Sequence, residues 1–292
     1  LRRSAGAPGQ RRVSQFLPLP RPRHKLTEMA RDEIVDLLSQ TGMTAADWIG
    51  RLYWRHFKVR KRRSPHSPPA KVIAHRGAWK LSGLIENTLP ALLAAAKAGC
   101  WGVEFDVRAL KDGTLVVHHD DSLVRTFGRE LRLSQISFSH LRHEAPLIPT
   151  LTEVIQALGG QTHLMIELKG SSNDWEQAQL TQLQTQLSGL TCGRDFHLMS
   201  LDTKLLQFVT EQVPEYRMGI VGIATTEVQS VSEVVQREKW AALTAHWLLL
   251  PQTTVDAHHK NSQLCGTGYA DSKEVFLREC ARDIDWIFTN HG

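Results

Sequence analysis

From residue 71 onward, short apolar runs alternate with longer stretches of helical period. Strand-like runs fall at 71–75, 101–107, 114–118, 163–168, 195–199, 217–222, 242–249 and 285–289. Helical patterns lie between most of them, at 88–98, 151–158, 173–187, 202–212, 227–237 and 272–281. Regular alternation of strand and helix is the mark of parallel β/α units. Eight strand candidates predict an α/β fold, a (β/α)8 TIM barrel, rather than a doubly wound sheet. No GxGxxG loop or Walker pattern favours the sheet. One interval breaks the rhythm. Arg108–Gly113 is too short for a crossover helix, which needs about a dozen residues, so the barrel is expected to be irregular there. Trp247-Leu248-Leu249-Leu250, stopped by Pro251, reads as a buried strand.

The pattern before residue 71 is different. Residues 1–26 are rich in Arg, Pro and Gly without an apolar period and are expected to be disordered. The sequence opens on Leu1, and Met29 is a natural alternative start. Residues 27–63 predict a helical basic extension. Ile34, Leu37 and Leu38 share one helical face, and a second helix runs from Thr44 into Lys58-Val59-Arg60-Lys61-Arg62-Arg63. Residues 64–70, with Ser64, Pro65, Ser67, Pro68 and Pro69 in quick succession, read as a linker. The barrel is then expected over 71–292.

Charge sharpens this division. The net charge is +5, yet residues 1–68 carry 15 Lys/Arg against 5 Asp/Glu, leaving the remainder at −5. The plainest reading of the extension is a helix pair packed on the barrel with a solvated basic tail. Trp48, Tyr53, Trp54 and Phe57 interleaved with Arg51, Arg55 and Lys58 also suit peripheral contact of 44–63 with an anionic membrane. Nucleic acid is the least favoured partner. No apolar run approaches the roughly 18 residues of a membrane span, and the N-terminus lacks the apolar core of a secretory signal. The four cysteines have no CxxC spacing, which argues against a zinc site or a disulfide framework. A cytoplasmic protein, peripheral to the membrane at most, is expected.

The chemistry-bearing residues cluster at the ends of the predicted strands. Glu104 and Asp106 are two apart on one strand, so their side chains point the same way; Glu167 and Lys169 repeat that geometry on another. Taken by spacing alone, such acids are more often salt-bridged strand ends. If both strands line one barrel, three carboxylates converge at its mouth, a hard oxygen set suited to one divalent cation, Mg²⁺ or Ca²⁺. Arg76 and Lys169 supply fixed positive charge for a phosphate. His75 follows the run Val72-Ile73-Ala74, and His118 and His119 follow Leu115-Val116-Val117. Alternation allows only one of that pair to face inward. Imidazole can act as base or acid near neutral pH.

These residues, read in order, are His75-Arg76-Gly77, Glu86-Asn87-Thr88, Glu104-Phe105-Asp106, His119-Asp120 and Glu167-Leu168-Lys169. Over residues 71–292 the chain resembles the glycerophosphodiester phosphodiesterase family, related to the barrel of the phosphatidylinositol-specific phospholipases C. Leu123-Val124-Arg125-Thr126 and Ile148-Pro149-Thr150-Leu151 add to the match. The resemblance implies that His75 and His119 are the acid/base pair. It implies that Glu104, Asp106 and Glu167 hold the metal, that Arg76 and Lys169 contact phosphate, and that Glu86 and Asn87 brace the site. It also implies hydrolysis of a glycerophosphodiester to an alcohol and glycerol 3-phosphate, through a cyclic phosphate or by direct attack of water. The family's late Trp-Thr-x-Asn element is absent; Cys265-Gly266-Thr267-Gly268-Tyr269-Ala270-Asp271 stands there. The short span from Arg125 to Pro149 leaves little room for a capping insertion and predicts an open mouth. Two alternatives follow: phospholipase-D-like action on lysophospholipids, and a non-catalytic barrel that binds phosphoesters or a partner.

Overall fold

The computed structural model describes residues 69–291. The segment expected to be disordered (1–26), the expected helical extension (27–63) with its expected membrane contact over 44–63, and most of the expected linker (64–70) lie outside the described residues.

Nine strands form one sheet: β1 (Lys71–His75), β2 (Gly102–Ala109), β3 (Leu115–Val117), β4 (His163–Leu168), β5 (Phe196–Ser200), β6 (Ile220–Ala224), β7 (Ala242–His246), β8 (Leu264–Gly268) and β9 (Trp286–Thr289). Eight of them are parallel. They run β1-β2-β4-β5-β6-β7-β8-β9, and β9 pairs back onto β1 to close the barrel. The helices are α1 (Trp79–Ser82), α2 (Leu89–Lys97), α3 (Val124–Phe127), α4 (Phe138–Glu144), α5 (Leu151–Leu158), α6 (Gln177–Leu187), α7 (Thr203–Gln212), α8 (Val228–Arg237), α9 (Gln252–Lys260) and α10 (Lys273–Ala281). Three long helices start on side-chain caps of the kind that satisfy orphan amides. Thr150 and Glu153 make a reciprocal capping box on α5, Asp202 caps α7 and Ser272 caps α10.

The predicted barrel is present, but one of its eight strands was assigned to the wrong segment. Residues 115–117 do not cross the barrel; β3 runs antiparallel to the far end of β2, pairing Val107 with Val117 and Ala109 with Leu115. The short Arg108–Gly113 link is therefore a hairpin. The missing parallel strand is β8, whose sequence Leu-Cys-Gly-Thr-Gly carries too little apolar character to read as a strand. Glycine weakens that signal and marks close packing. A Cβ on Gly266 would lie 3.0 Å from Thr244 Oγ1 and 3.1 Å from Phe288. Trp247–Leu250 is not strand either. β7 stops at His246, and the amides of Leu249 and Leu250 turn back to the His246 carbonyl. That turn still buries Trp247 and Leu250. The run at 217–222 begins as a 3-10 turn over Pro214–Gly219 before β6. Helix α9 gave no signal because only Val255 and His258 of its nine residues are buried.

Strand periodicity stacks two layers inside the barrel. Ile73, Met165, Met199, Val221, Ala242, Trp286 and Phe288 form an apolar cluster. Two residues on along the same faces stand His75 above Ile73 and Glu167 above Met165. The apolar layer thus underlies a polar one at the C-terminal ends of the strands, the end where barrels of this architecture carry their sites. From the end of β2 to the start of α5 the chain builds a second small core from Leu110, Val116, Leu123, Leu133, Ile136, Leu141, Ala145 and Ile148. Among the described residues Cys100, Cys192 and Cys265 are free thiols.

Gly77 ties β1 to α2 at φ 83°. A Cβ there would sit 2.6 Å from the Ala91 carbonyl carbon and 2.8 Å from the Leu92 amide nitrogen, both backbone atoms. Neither can yield without moving α2. Gly77→Ala is expected to cost about 2–3 kcal/mol, combining a strained φ with a backbone clash. A thermal unfolding curve checks this; an unchanged Tm would contradict it.

Candidate active site at the mouth of the barrel

Strand register brings the carboxylates together. His75 of β1 lies opposite Glu104 of β2, and Asp106 of β2 lies opposite Glu167 of β4. The Lys169 amide continues that ladder to the Val107 carbonyl. Glu104, Asp106 and Glu167 each bring a carboxylate oxygen within 4.8 Å of the others. All three are buried.

Cations and one amide hold this negative charge. Lys169 Nζ lies 2.9 Å from Asp106 Oδ1 and 2.5 Å from Glu167 Oε1. Arg76 Nε lies 3.3 Å from Asp106 Oδ2, and its Nη1 donates to Glu86 Oε1 at 2.9 Å. Asn87 Nδ2 donates to Asp106 Oδ2 at 2.7 Å, while the Asp106 amide donates to Asn87 Oδ1 at 3.2 Å. Arg76 and Asn87 both sit in the left-handed region, at φ 59° and 58°. Asn tolerates that region; for Arg it costs on the order of 1 kcal/mol. The Arg76 amide recovers this by donating to the Glu104 carbonyl at 2.9 Å and to Glu104 Oε2 at 3.0 Å.

The two imidazoles are held differently. His119 Nδ1 donates to Asp120 Oδ1 at 2.6 Å. Asp120 is fixed by Arg125 Nε at 2.6 Å, and Arg125 Nη2 reaches Glu86 Oε1 at 2.6 Å. Glu86 therefore bridges Arg76 and Arg125, making one ionic chain from Asp106 to His119. His118 is turned away, its ring between the Asp120 carbonyl and Thr126 Oγ1 at 2.7 Å each. His75 Nδ1 meets Asn290 Oδ1 at 2.8 Å, and its Nε2 lies 3.8 Å from Glu104 Oε2. Tyr269 sets its ring edge-on to His75 at 5.8 Å and stacks on His246 at 5.3 Å. All nine residues singled out from the sequence thus line one mouth. Asp120, Arg125, Tyr269, Asp271 and Asn290 complete it. Of these, Asp120 and Arg125 sat in the recognised motifs, whereas Asn290 gave no sequence signal.

Burial and charge then set the protonation states. Burial, with Asp106 adding to it, pushes Glu104 up to about 8. The same two causes push Glu167 up to about 7. Burial would raise Asp106 as well, but Lys169 and Arg76 outweigh it and hold that carboxyl well below its usual range. His119 is lowered to about 4, chiefly by burial; Asp106 pulls it upward, and Arg76 and Lys169 push it down. Burial and Arg76 lower His75 too. Both rings are therefore neutral near pH 7, able to take up a proton at Nε2.

The donor set fits a divalent cation. Glu104 Oε1 is buried with no hydrogen-bond partner, an expensive state for a carboxylate oxygen. Glu104 and Glu167, both raised by burial and by Asp106, are the carboxyls from which a dication would displace protons. Three hard oxygens within reach of one point suit Mg²⁺ or Ca²⁺.

Residues 75–291 match the model of the glycerophosphoryl diester phosphodiesterase family. The chain belongs to that family. It is 36% identical over 231 residues to a glycerophosphodiester phosphodiesterase of Caldanaerobacter subterraneus subsp. tengcongensis, covering 75% of this chain and 93% of that one. The glycerophosphodiester phosphodiesterase structure from Thermotoga maritima superposes with a TM-score of 0.66 at 24% identity, over 77% of this chain and 96% of that one. A phosphodiesterase from Oleispira antarctica, solved with the product sn-glycerol-3-phosphate, gives a TM-score of 0.65 at 22% identity over 76% and 94%. These structural likenesses establish the barrel fold of the family. As a member, the chain is an enzyme of the phosphodiester-hydrolysing class. Among the described residues no helix is long and apolar enough to cross a membrane.

The sign of the pH effect on metal binding follows from the raised carboxyls. Glu104 and Glu167, raised from 4.5 to about 8 and about 7, contribute stability below pH 4.5 that is lost as pH rises through those values. A cation bound to the carboxylates offsets that loss and competes with protons only below it. Mg²⁺ or Ca²⁺ is expected to raise Tm more at pH 8 than at pH 5.5, and Glu104→Gln is expected to abolish most of the rise. Thermal shift with added metal and with chelator measures it; an equal rise at both pH values would count against these carboxylates as the ligands.

Proposed function

We propose that this enzyme hydrolyses glycerophosphodiesters to an alcohol and glycerol 3-phosphate, using one Mg²⁺ or Ca²⁺ and the His75/His119 pair. The observation that carries this reading is the convergence of three buried carboxylates, two cations and two neutral imidazoles at one barrel mouth. A bound cation would supply positive charge for a phosphate oxygen and relieve the crowding of the carboxylates. Glu104, Asp106 and Glu167 are the residues that would hold it.

The chain's own groups account for the proton traffic. Arg76 and Lys169 lie beside the carboxylates, where they can face the charge that grows on phosphorus-bound oxygen. Cleavage breaks one P–O bond, so the departing alkoxide needs a proton and the attacking hydroxyl must lose one. His75 and His119 each present Nε2 to the site while Nδ1 is tied to an oxygen. One ring takes the proton from the nucleophile; the other takes one up from solvent and gives it to the departing alkoxide. A substrate hydroxyl that attacks gives a cyclic phosphate that water then opens, whereas water that attacks directly gives none. Phosphorus NMR during turnover would reveal the cyclic ester.

A second reading, lysophospholipid cleavage, is favoured by apolar surface near the mouth. Tyr269 is 42% exposed beside His75, and Leu201, just past the C-terminal end of β5, is 50% exposed. A head-group panel that includes a lysophospholipid separates the two. Peripheral contact of 44–63 with an anionic membrane rests on sequence alone, and a cytoplasmic location is proposed with it. Flotation with anionic against neutral vesicles is expected to show binding only to the former.

His75→Ala and Glu104→Ala are each expected to lower kcat at least about 10²-fold with native circular dichroism retained. Near-native turnover in either would remove that residue from its role.

A further inference from the structure

The stretch that departs from the family pattern ends at Asp271, and Asp271 reaches the catalytic layer through one intermediary. Asn290 Nδ2 donates to Asp271 Oδ2 at 2.7 Å, and the Asn290 backbone amide donates to Asp271 Oδ1 at 2.8 Å. Thr289 Oγ1 adds a bond to Asp271 Oδ1 at 3.2 Å, and Lys80 Nζ lies 3.4 Å from Oδ2. A carboxylate only accepts. Its grip on the amide NH₂ therefore fixes which end of the Asn290 side chain faces His75. That end is Oδ1, 2.8 Å from His75 Nδ1. An acceptor at Nδ1 requires the proton there and leaves the lone pair on Nε2.

We propose that Asn290, locked by Asp271, is the positioning residue that holds His75 in its Nδ1–H tautomer, so that Nε2 is free to take a proton from the nucleophile. The amide is suited to this task. A neutral acceptor orients the ring without storing a negative charge beside it, in contrast to His119, whose partner is the carboxylate of Asp120. Tyr269 packs edge-on against the same ring at 5.8 Å and limits its rotation. Topology explains how residues 215 apart in sequence meet. β9 pairs in register with β1, setting Thr289 beside Ala74, so the next residue on each strand faces the other. Asp271 arrives from the loop after β8, on the other side of β9.

The inference rests on the proposed proton-transfer role of His75, and its test separates the two. The full chain, labelled with ¹⁵N-histidine and with His75 assigned by comparison with His75→Gln, is expected to show the Nδ1–H pattern of long-range couplings. Asn290→Leu, of similar volume without an acceptor, is expected to lose that pattern. Its kcat should fall roughly 10–100-fold, the usual effect of removing such an outer partner, with little change in KM. Asn290→Asp combined with Asp271→Asn reverses the donor and acceptor between the two side chains and keeps an oxygen against Nδ1. This pair is expected to restore the tautomer and most of kcat. A wild-type Nε2–H tautomer overturns the proposal. So does a folded Asn290→Leu protein that loses kcat while keeping the Nδ1–H pattern, since its role is then packing. Loss of the pattern with kcat unchanged leaves the clamp standing and refutes instead the proton-transfer role of His75.

Discussion

Asp106 is the charge on which the site depends. It is fully buried and lies between two other carboxylates. Taking one carboxylate out of water costs several kcal/mol even after relaxation, and like charges at close range add to that. One ion pair does not offset such a cost. Here Lys169, Arg76 and Asn87 all converge on the same carboxylate, and their combined pull keeps it ionised while its neighbours are driven toward protonation. The site is built around one permanent anion, flanked by two carboxyls that burial and that anion push upward and that a cation would help to ionise.

The surrounding fold makes this arrangement rigid. The apolar layer of Ile73, Met165, Trp286 and Phe288 underlies the charged one and keeps water from relaxing it, which strengthens each electrostatic term. Strain is concentrated in the same place. Arg76, Asn87 and Tyr269 all have positive φ, and each touches another site group. Backbone strain at such positions persists only where surrounding contacts over-determine it. Arg76 illustrates this, since its amide is bonded twice to Glu104 while its guanidinium spans Asp106 and Glu86. The Glu86–Arg125–Asp120 chain then couples the position of His119 to the same frame.

Legibility in the sequence followed the range of the interactions. Glu104/Asp106 and Glu167/Lys169 were readable because strand period places i and i+2 on one face, and register then set Asp106 against Glu167. The β/α alternation was readable because buried parallel strands are apolar on both faces, as in β4, where all six residues are buried. β8 was not, because its glycines serve close packing against β7 and β9 instead of supplying apolar bulk. β3 misled because a short hairpin partner has the same apolar content as a barrel strand. The His75–Asn290–Asp271 chain was beyond reach for a different reason. Nothing local marks Asn290, and only barrel closure between the first and last strands brings it to His75.

That closure also bears on the absent Trp-Thr-x-Asn element. Read as a deletion of function, the stretch after Gly266 would favour a barrel that binds without turning over. The structure gives the stretch contacts at the centre of the site. Asp271 anchors the residue that holds His75, and Tyr269 packs against the same ring and against His246. Burying the Asp271 charge is costly, and of its bonds to Asn290, Thr289 and Lys80 the two to Asn290 are the shortest. Such expenditure is intelligible where a single imidazole must present one nitrogen to a substrate. Through Tyr269 and Asp271 the late barrel thus supplies contacts that reach the first strand at His75.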